Sequence, residues 1–109
     1  MRDEPMRIDD LGVHNDTHTL RLVGPLTIST LFEFQNIVRT SAGSMVLDFT
    51  QVPYIDSAGV GALVGAYVRH NKDGHTLTLA GVSERVRNIL KGTRVEQFFT
   101  YADSLPQLA

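Results

Sequence analysis

The stretch VLDFTQVPYIDSAGVGAL, residues 46–63, indicates the fold of this chain more clearly than any other. It begins as an apolar run with β-branched residues, and it ends in small residues that follow one Asp56-Ser57 pair. A continuous apolar run predicts a strand that is buried on both faces, as in a parallel or mixed sheet. The residues after the pair predict a helix that opens at Asp56 or Ser57 and runs to about Lys72. An acid and a hydroxyl therefore stand where a buried strand leads into a helix.

The rest of the chain alternates strands with helices. The first predicted elements are a β-hairpin of residues 8–13 and 17–23, a helix capped by Thr27 or Ser29, and a strand at 45–49. The helix after Ser57 follows, and its predicted core face comprises Val60, Leu63, Val64, Tyr67 and Val68. The last predicted elements are a strand at 76–80, a helix capped by Ser83, a short strand at Phe98-Phe99 and a final helical turn or two at 103–108. This order predicts an α/β fold, a mixed, mostly parallel sheet of four to five strands with helices packed against it.

Length and composition narrow the possible functions. The chain has 109 residues, which predicts a single domain, residues 1–109, with residues 1–5 as a loose end. A net charge of −2 disfavours general binding to nucleic acid. The absence of cysteine excludes disulfides and thiolate chemistry. Because no apolar stretch approaches the roughly 20 residues that cross a bilayer, we expect no membrane insertion and a cytoplasmic location.

The Asp56-Ser57 pair has two interpretations. Functional groups in such sheets collect at the carboxyl ends of strands, and the pair lies at such an end. The first N–H groups of a helix are unpaired and the helix dipole is positive there, so a phosphate on Ser57 would be stabilised. The simpler interpretation is that Asp56 or Ser57 is an ordinary N-cap. The spacing by itself leaves both open.

The glycines after the pair need a physical reason. Each glycine inside a helix costs about 1 kcal/mol relative to alanine. One reason is close packing of the helix on its own sheet; the other is a flat surface that lets a partner's backbone approach. A flat, nearly uncharged surface beside a serine that can gain charge would act as a switch, since a phosphate would block docking.

At these residues the chain resembles the STAS domain family, and in particular the bacterial anti-sigma-factor antagonists. The resemblance is carried by the apolar strand VLDF, then YIDSAGVGAL, and further along by GHTLTLAGVSERVRNILKGTRVEQFF. The family pattern is an apolar strand, a short loop and then Asp-Ser-small-Gly-apolar-Gly. The resemblance extends from about residue 8 to residue 108 and implies the STAS fold.

The resemblance also implies a partner-switching cycle. In antagonists of this type the serine after the aspartate is phosphorylated by the anti-sigma factor, which is itself a serine kinase. The bare antagonist binds that kinase and frees the sigma factor, and a protein phosphatase resets the cycle. Carried over by position, the acceptor is Ser57, and the partner surface comprises Asp56, Ser57, Ala58, Gly59, Gly61, Ala62 and Gly65. The resemblance implies regulation of transcription through protein contacts, with no cofactor.

One departure from the family pattern supports an alternative. Many members carry Gly-Glu-Leu-Asp before the first helix, whereas this chain has Gly24-Pro25-Leu26-Thr27. The missing acid favours a STAS module that does not switch, either part of a signalling scaffold or an accessory subunit of lipid transport. In that case Ser57 would be a cap.

An enzyme is the third possibility, and the sequence offers little for it. His14, His18, His70 and His75 are scattered, and we expect them on the solvated surface. Gly59-x-Gly61 lacks the third glycine or the Lys-Ser/Thr of a nucleotide loop. We therefore expect no catalytic residue and no metal site. Phe32 lies off the inner face of its helix, and its exposure would suggest a partner contact or self-association.

Overall fold

The computed structural model describes residues 5–105. The elements are β1 (Arg7–His14), β2 (Thr17–Val23), α1 (Leu31–Thr40), β3 (Ser44–Gln51), α2 (Ser57–Lys72), β4 (Leu77–Ala80), α3 (Glu84–Gly92), a 3₁₀ turn (Glu96–Phe98) and β5 (Thr100–Ala102). The five strands form one sheet in the order β1-β2-β3-β4-β5. β1 is antiparallel to β2, and the other neighbours are parallel. The predicted mixed, mostly parallel α/β fold is confirmed.

The hairpin of β1 and β2 follows from its turn. Asn15 and Asp16 both have positive φ, 51° and 64°. This is the backbone that a tight two-residue hairpin requires, and Asn and Asp tolerate it better than most residues. In β2, Leu20 and Leu22 are fully buried, and Thr19, at an alternate position of the strand, is only 1% exposed. The strand is thus covered on both faces over part of its length.

β3 occupies the centre of the sheet and is the most buried strand. Met45, Leu47 and Phe49 are fully inaccessible, and Val46 and Asp48 on the alternate positions are also buried. The burial of both faces confirms what the continuous apolar run predicts. The Asp48 carboxylate is compensated, because it receives hydrogen bonds from Arg21 Nε at 3.0 Å and from the Thr50 hydroxyl at 2.7 Å.

Two predictions of helix detail are wrong. α1 begins at Leu31 rather than after a cap by Thr27 or Ser29, because the Thr27 carbonyl already accepts the N–H groups of Thr30 and Leu31 in a turn before the helix. Val68 of α2 is 57% exposed and does not belong to the core face. The residues of α2 that are buried are Gly59, Val60, Ala62, Leu63, Ala66 and His70, so the helix is rotated about its axis from the predicted orientation.

The carboxyl-terminal prediction is also wrong. Phe98 ends the 3₁₀ turn and stacks on Tyr67 with ring centroids 5.3 Å apart, and β5 begins only at Thr100. The cause is local, since the N–H groups of Phe98 and Phe99 donate to carbonyls three residues back and so close a turn. Residues 103–105 are not helical. The remainder of the predicted final helix, 106–108, lies outside the described residues.

Candidate functional site

The Asp56-Ser57 pair lies at the carboxyl edge of the parallel strands. β3 ends at Gln51, a short loop follows, and α2 begins at Ser57 with Asp56 as its N-cap. An isolated parallel bridge between Leu26 and Ile55 ties this loop to the segment that connects β2 with α1. The two loops that meet at the site are therefore joined through their backbones.

The Asp56 carboxylate fixes the junction between these loops. Its Oδ1 accepts the N–H of Gly59 at 2.8 Å, which is an N-cap hydrogen bond. Its Oδ2 accepts the N–H of Ile28 at 3.0 Å, across to the loop before α1. The Asp56 N–H donates to the Leu26 carbonyl at 3.3 Å. One side chain thus orients the start of α2 and anchors the neighbouring loop, so Asp56 has a structural task whether or not Ser57 is modified.

Ser57 is the first residue of α2, and its side chain is exposed. Within residues 5–105 no hydrogen bond holds its hydroxyl, and the N–H groups of Ser57 and Ala58 have no acceptor there. The first turn of α2 contains no acidic residue. Free N–H groups and the positive end of the helix dipole favour an anion at this point. A phosphate on Ser57 would therefore have two N–H donors at an accessible position, next to the Asp56 carboxylate that already caps the helix.

The two reasons for glycine apply to different glycines. A Cβ on Gly59 would lie 2.2 Å from the Leu26 carbonyl oxygen, so Gly59 is required by packing within the fold. A Cβ on Gly61 or on Gly65 would meet nothing within 4 Å, and both residues are exposed. These two glycines keep the surface low without any internal requirement. Of the other predicted contact residues, Ala58 is half-buried and Ala62 is buried beneath that surface.

At Thr27, where the resemblance leads us to expect an acid, the side chain is part of the loop's internal structure. It is 3% exposed, and its hydroxyl accepts the N–H of Ser29 at 3.2 Å. The Thr27 N–H donates to the Thr30 hydroxyl at 2.9 Å, and that hydroxyl donates to the Pro25 carbonyl at 2.7 Å. These bonds order the loop that presents the Ile28 N–H to Asp56.

Of three further features of this surface, the sequence pointed only to the position of Phe32. Ile28 is 61% exposed, although its N–H is bound by Asp56. Phe32, on the first turn of α1, is 66% exposed, as its position off the inner face allowed. Arg39 and Arg69 come together from α1 and α2, since the Arg69 guanidinium donates to the Arg39 carbonyl. Sequence patterns give no signal for that last contact, because the two residues lie on separate helices.

The expectation that every histidine is solvated is wrong for two of the four. His18 is nearly buried, and its ring nitrogens lie 2.7 Å from the Ser41 hydroxyl and 2.8 Å from an Asp10 carboxylate oxygen. His70 is 4% exposed, and its Nδ1 lies 2.8 Å from the Ala66 carbonyl. Both nitrogens of His18 have partners that replace water, whereas His70 has a partner at Nδ1 and none at its buried Nε2 within residues 5–105. Neither lies at Ser57.

Two negative observations concern the described residues. Across residues 5–105 no three His, Cys, Asp or Glu side chains are arranged to hold a metal ion. Over the same residues no helix has the length and apolar character needed to span a membrane.

The chain belongs to the STAS domain family, whose pattern matches residues 10–108. Among curated proteins it is 27% identical over 77 residues to an anti-sigma-B factor antagonist of Staphylococcus epidermidis, covering 67% of this chain and 71% of the relative.

Solved structures confirm the fold. The anti-sigma factor antagonist SpoIIAA in its unphosphorylated form gives a TM-score of 0.75 at 19% identity, over 88% of each chain. The phosphorylated form of the same Bacillus protein gives 0.71 at 18% identity, over 88% of this chain and 91% of that chain. The murine Solute Carrier 26 family member A9 anion transporter gives 0.71 at 18% identity, over 83% of this chain and 16% of the transporter. The fold is thus shared by free-standing antagonists and by a module of a transporter.

Proposed function

We propose that this STAS domain is an anti-sigma-factor antagonist whose binding is controlled by phosphorylation of Ser57. Unphosphorylated Ser57 leaves the surface of α2 free to bind an anti-sigma factor, which is also a serine kinase. Phosphorylated Ser57 excludes that partner, and a phosphatase restores binding. The chain itself is a binding protein, and the reactions at Ser57 are carried out by its partners.

The observation that carries this proposal is the exposed Ser57 hydroxyl at the start of α2. Its own N–H and that of Ala58 are available to a phosphate, and the low surface formed by Gly61 and Gly65 continues along the same helix. A phosphate adds roughly −1.5 to −2 units of charge, which would have to be desolvated under a docked partner. The curated relative is named as an antagonist of the same kind, and SpoIIAA has been solved in both phosphorylation states.

A capture experiment tests the proposal. Wild-type protein, Ser57→Ala and Ser57→Asp serve as baits in a lysate of the native host. Ser83→Asp is the matched control, because Ser83 is an exposed serine at the start of another helix, where aspartate also caps well. We expect one kinase-like ATPase to bind wild type, Ser57→Ala and Ser83→Asp. Ser57→Asp should bind it at least about tenfold more weakly, which corresponds to about 1.4 kcal/mol.

The alternative is a STAS module that does not switch, in a signalling scaffold or a transport assembly. It is favoured by Thr27 in place of the usual acid and by the fold shared with the anion transporter. In that case all four baits would retain the same partners. Incubation of the captured kinase with ATP and wild type would also leave Ser57 unmodified by mass spectrometry.

A further inference from the structure

A cleft between α1 and α2 continues from the low surface of α2. It has a volume of about 420 Å³. Its floor includes the buried Phe34 and Ala66, and Gln35 lies along the α1 side. The α2 side is open because Gly61 and Gly65 carry no side chain. A docked segment could therefore lie close to the backbone of α2.

One end of this cleft carries two positive charges. Arg39 and Arg69 line it, and both side chains belong to exposed residues. Arg39 donates to the Asn36 side-chain oxygen and Arg69 to the Arg39 carbonyl, both neutral acceptors. Neither arginine has a carboxylate within ion-pair distance in residues 5–105. Both guanidinium groups therefore lie at the cleft without a carboxylate partner in residues 5–105, and an acidic group from outside the chain would compensate them.

The cleft and Ser57, which does not line it, favour different charges on a docked segment. Ser57, Gly61, Gly65 and Arg69 follow one another at intervals of four residues, so they lie along one side of α2. Twelve residues of helix separate Ser57 from Arg69, about 18 Å at 1.5 Å per residue. A negative charge on the docked segment would favour binding near the arginines, whereas a phosphate on Ser57, one helical turn before Gly61, would oppose it.

We propose that this cleft binds a helical segment of the protein partner, with a carboxylate of that segment paired to Arg39 and Arg69. A helix fits because a groove between two helices accepts the side chains of a third, and the open α2 side allows close approach. The inference rests on the proposed function in that the partner is the one controlled by Ser57. The inference adds the chemistry of the docked segment and its orientation in the cleft, with the carboxylate at the arginines.

The test uses two synthetic amphipathic helical peptides about 14 residues long, about 21 Å of helix at 1.5 Å per residue, which exceeds the distance of about 18 Å from Ser57 to Arg69. They are identical except that one carries two glutamates near one end and the other carries two lysines there. Each is titrated into ¹⁵N-labelled protein, and backbone shifts are followed by NMR. We expect the glutamate peptide to shift the signals of Gly61, Gly65 and Arg69, and to bind at least about tenfold more tightly than the lysine peptide.

A charge reversal at both arginines, Arg39→Glu with Arg69→Glu, should invert this preference. The matched control is Lys72→Glu, since Lys72 is an exposed cation in the same last turn of α2 that does not line the cleft. The control should leave the preference unchanged. A spectrum with native dispersion for each variant shows that it folds.

Four results would overturn the inference. Equal shifts with both peptides would show that charge is not recognised. Absence of shifts at Gly61 and Gly65 would show that the cleft is not the site. Concentration-dependent shifts without peptide would indicate a second copy of this chain as occupant. The same shifts with free glutamate would indicate a small-anion site. Ser57→Asp separates the two proposals: if it binds the glutamate peptide like wild type, the cleft stands and the phosphorylation switch fails.

Discussion

At the scale of the residue, three glycines in one helix have unlike roles. Gly59 lies against the Leu26 carbonyl, whereas Gly61 and Gly65 face open space. Helix propensity treats the three alike and assigns each a cost of about 1 kcal/mol relative to alanine. The contact with Leu26 distinguishes Gly59 from the other two glycines. The effect of alanine substitution on the free energy of unfolding measures this difference.

We expect Gly59→Ala to destabilise the protein by about 1–3 kcal/mol, because the added methyl would overlap a backbone oxygen that cannot move freely. Gly61→Ala and Gly65→Ala should each stabilise it by up to about 1 kcal/mol, since the methyl meets nothing and helix propensity improves. The free energy of unfolding from urea titrations checks all three. If the three variants moved stability in the same direction, the contact between Gly59 and Leu26 would not be the deciding term.

At the scale of the element, β2 and β3 are joined by the ion pair of Arg21 with the buried Asp48 as well as by their hydrogen-bond ladder. Burial raises the pKa of Asp48, but the N–H and hydroxyl of Thr50 and the Arg21 guanidinium outweigh it, so the pKa lies below its ordinary value of 3.8. The Asp48 side chain is 5% exposed and that of Arg21 36%. The pair therefore stabilises the fold while the carboxylate is ionised.

This lowered pKa has a definite consequence for stability. The contribution of Asp48 is fully present above the pKa of the unfolded chain, near pH 4, and it is lost as the pH falls through the lower folded-state pKa. We expect the free energy of unfolding of wild type to fall as the pH decreases below about 4. Asp10 contributes in the same direction, because the Gly12 N–H and the His18 side chain lower its pKa.

The variant Asp48→Asn isolates the contribution of Asp48. It should be less stable than wild type at neutral pH, and its stability should fall less steeply in acid. Asp103→Asn is the control, since Asp103 is exposed and makes no ion pair within residues 5–105. Urea titrations across this pH range provide the measurement. Parallel curves for wild type and Asp48→Asn would contradict the assignment.

At the scale of the whole molecule, the strands lie side by side in the order in which they occur along the chain. A central strand therefore has two neighbouring strands, whereas an edge strand has one. β3 pairs with β2 on one side and β4 on the other, and its central residues are buried on both faces. β5 is three residues long and pairs with β4 alone. Local opening is therefore cheapest at the carboxyl-terminal edge.

We expect native-state hydrogen exchange to reflect this order. The amides of Met45 to Phe49 should be the slowest and should exchange near the free energy of global unfolding, whereas those of β5 should exchange at least about tenfold faster. NMR after transfer to D₂O measures both. Equal protection of β3 and β5 would mean that the edge strand opens only when the whole sheet does.

The sequence predicts most of the fold, because its strongest signals are local. The apolar run of β3, the Asn15-Asp16 turn and the Asp56 cap each occupy a few consecutive residues. The errors concern long-range contacts or a competing turn. Val68 is exposed because α2 buries a different face, the one on which Gly59 lies against Leu26, far away in sequence. Phe98-Phe99 has the composition of a strand, yet its backbone closes a turn.

The candidate site divides in the same way. Asp56, Ser57 and the glycines are adjacent in the chain and could be found by motif. The Ile28 tether and the pair of Arg39 and Arg69 could not, since each joins residues that are 28 or 30 positions apart. The burial of His18 likewise depends on Asp10 and Ser41, which belong to other elements. Local chemistry can be read from one sequence, whereas convergence of distant residues requires the folded chain.

The junction that Asp56 fixes has a consequence for how the proposed switch would work. Its two carboxylate oxygens bind the start of α2 and the loop at Ile28, and Gly59 leaves no slack against Leu26. We therefore expect a group added to Ser57 to leave the start of α2 and the loop at Ile28 in place. A partner would therefore detect the added group by direct contact at the surface, and no conformational change would have to pass through the interior of the domain.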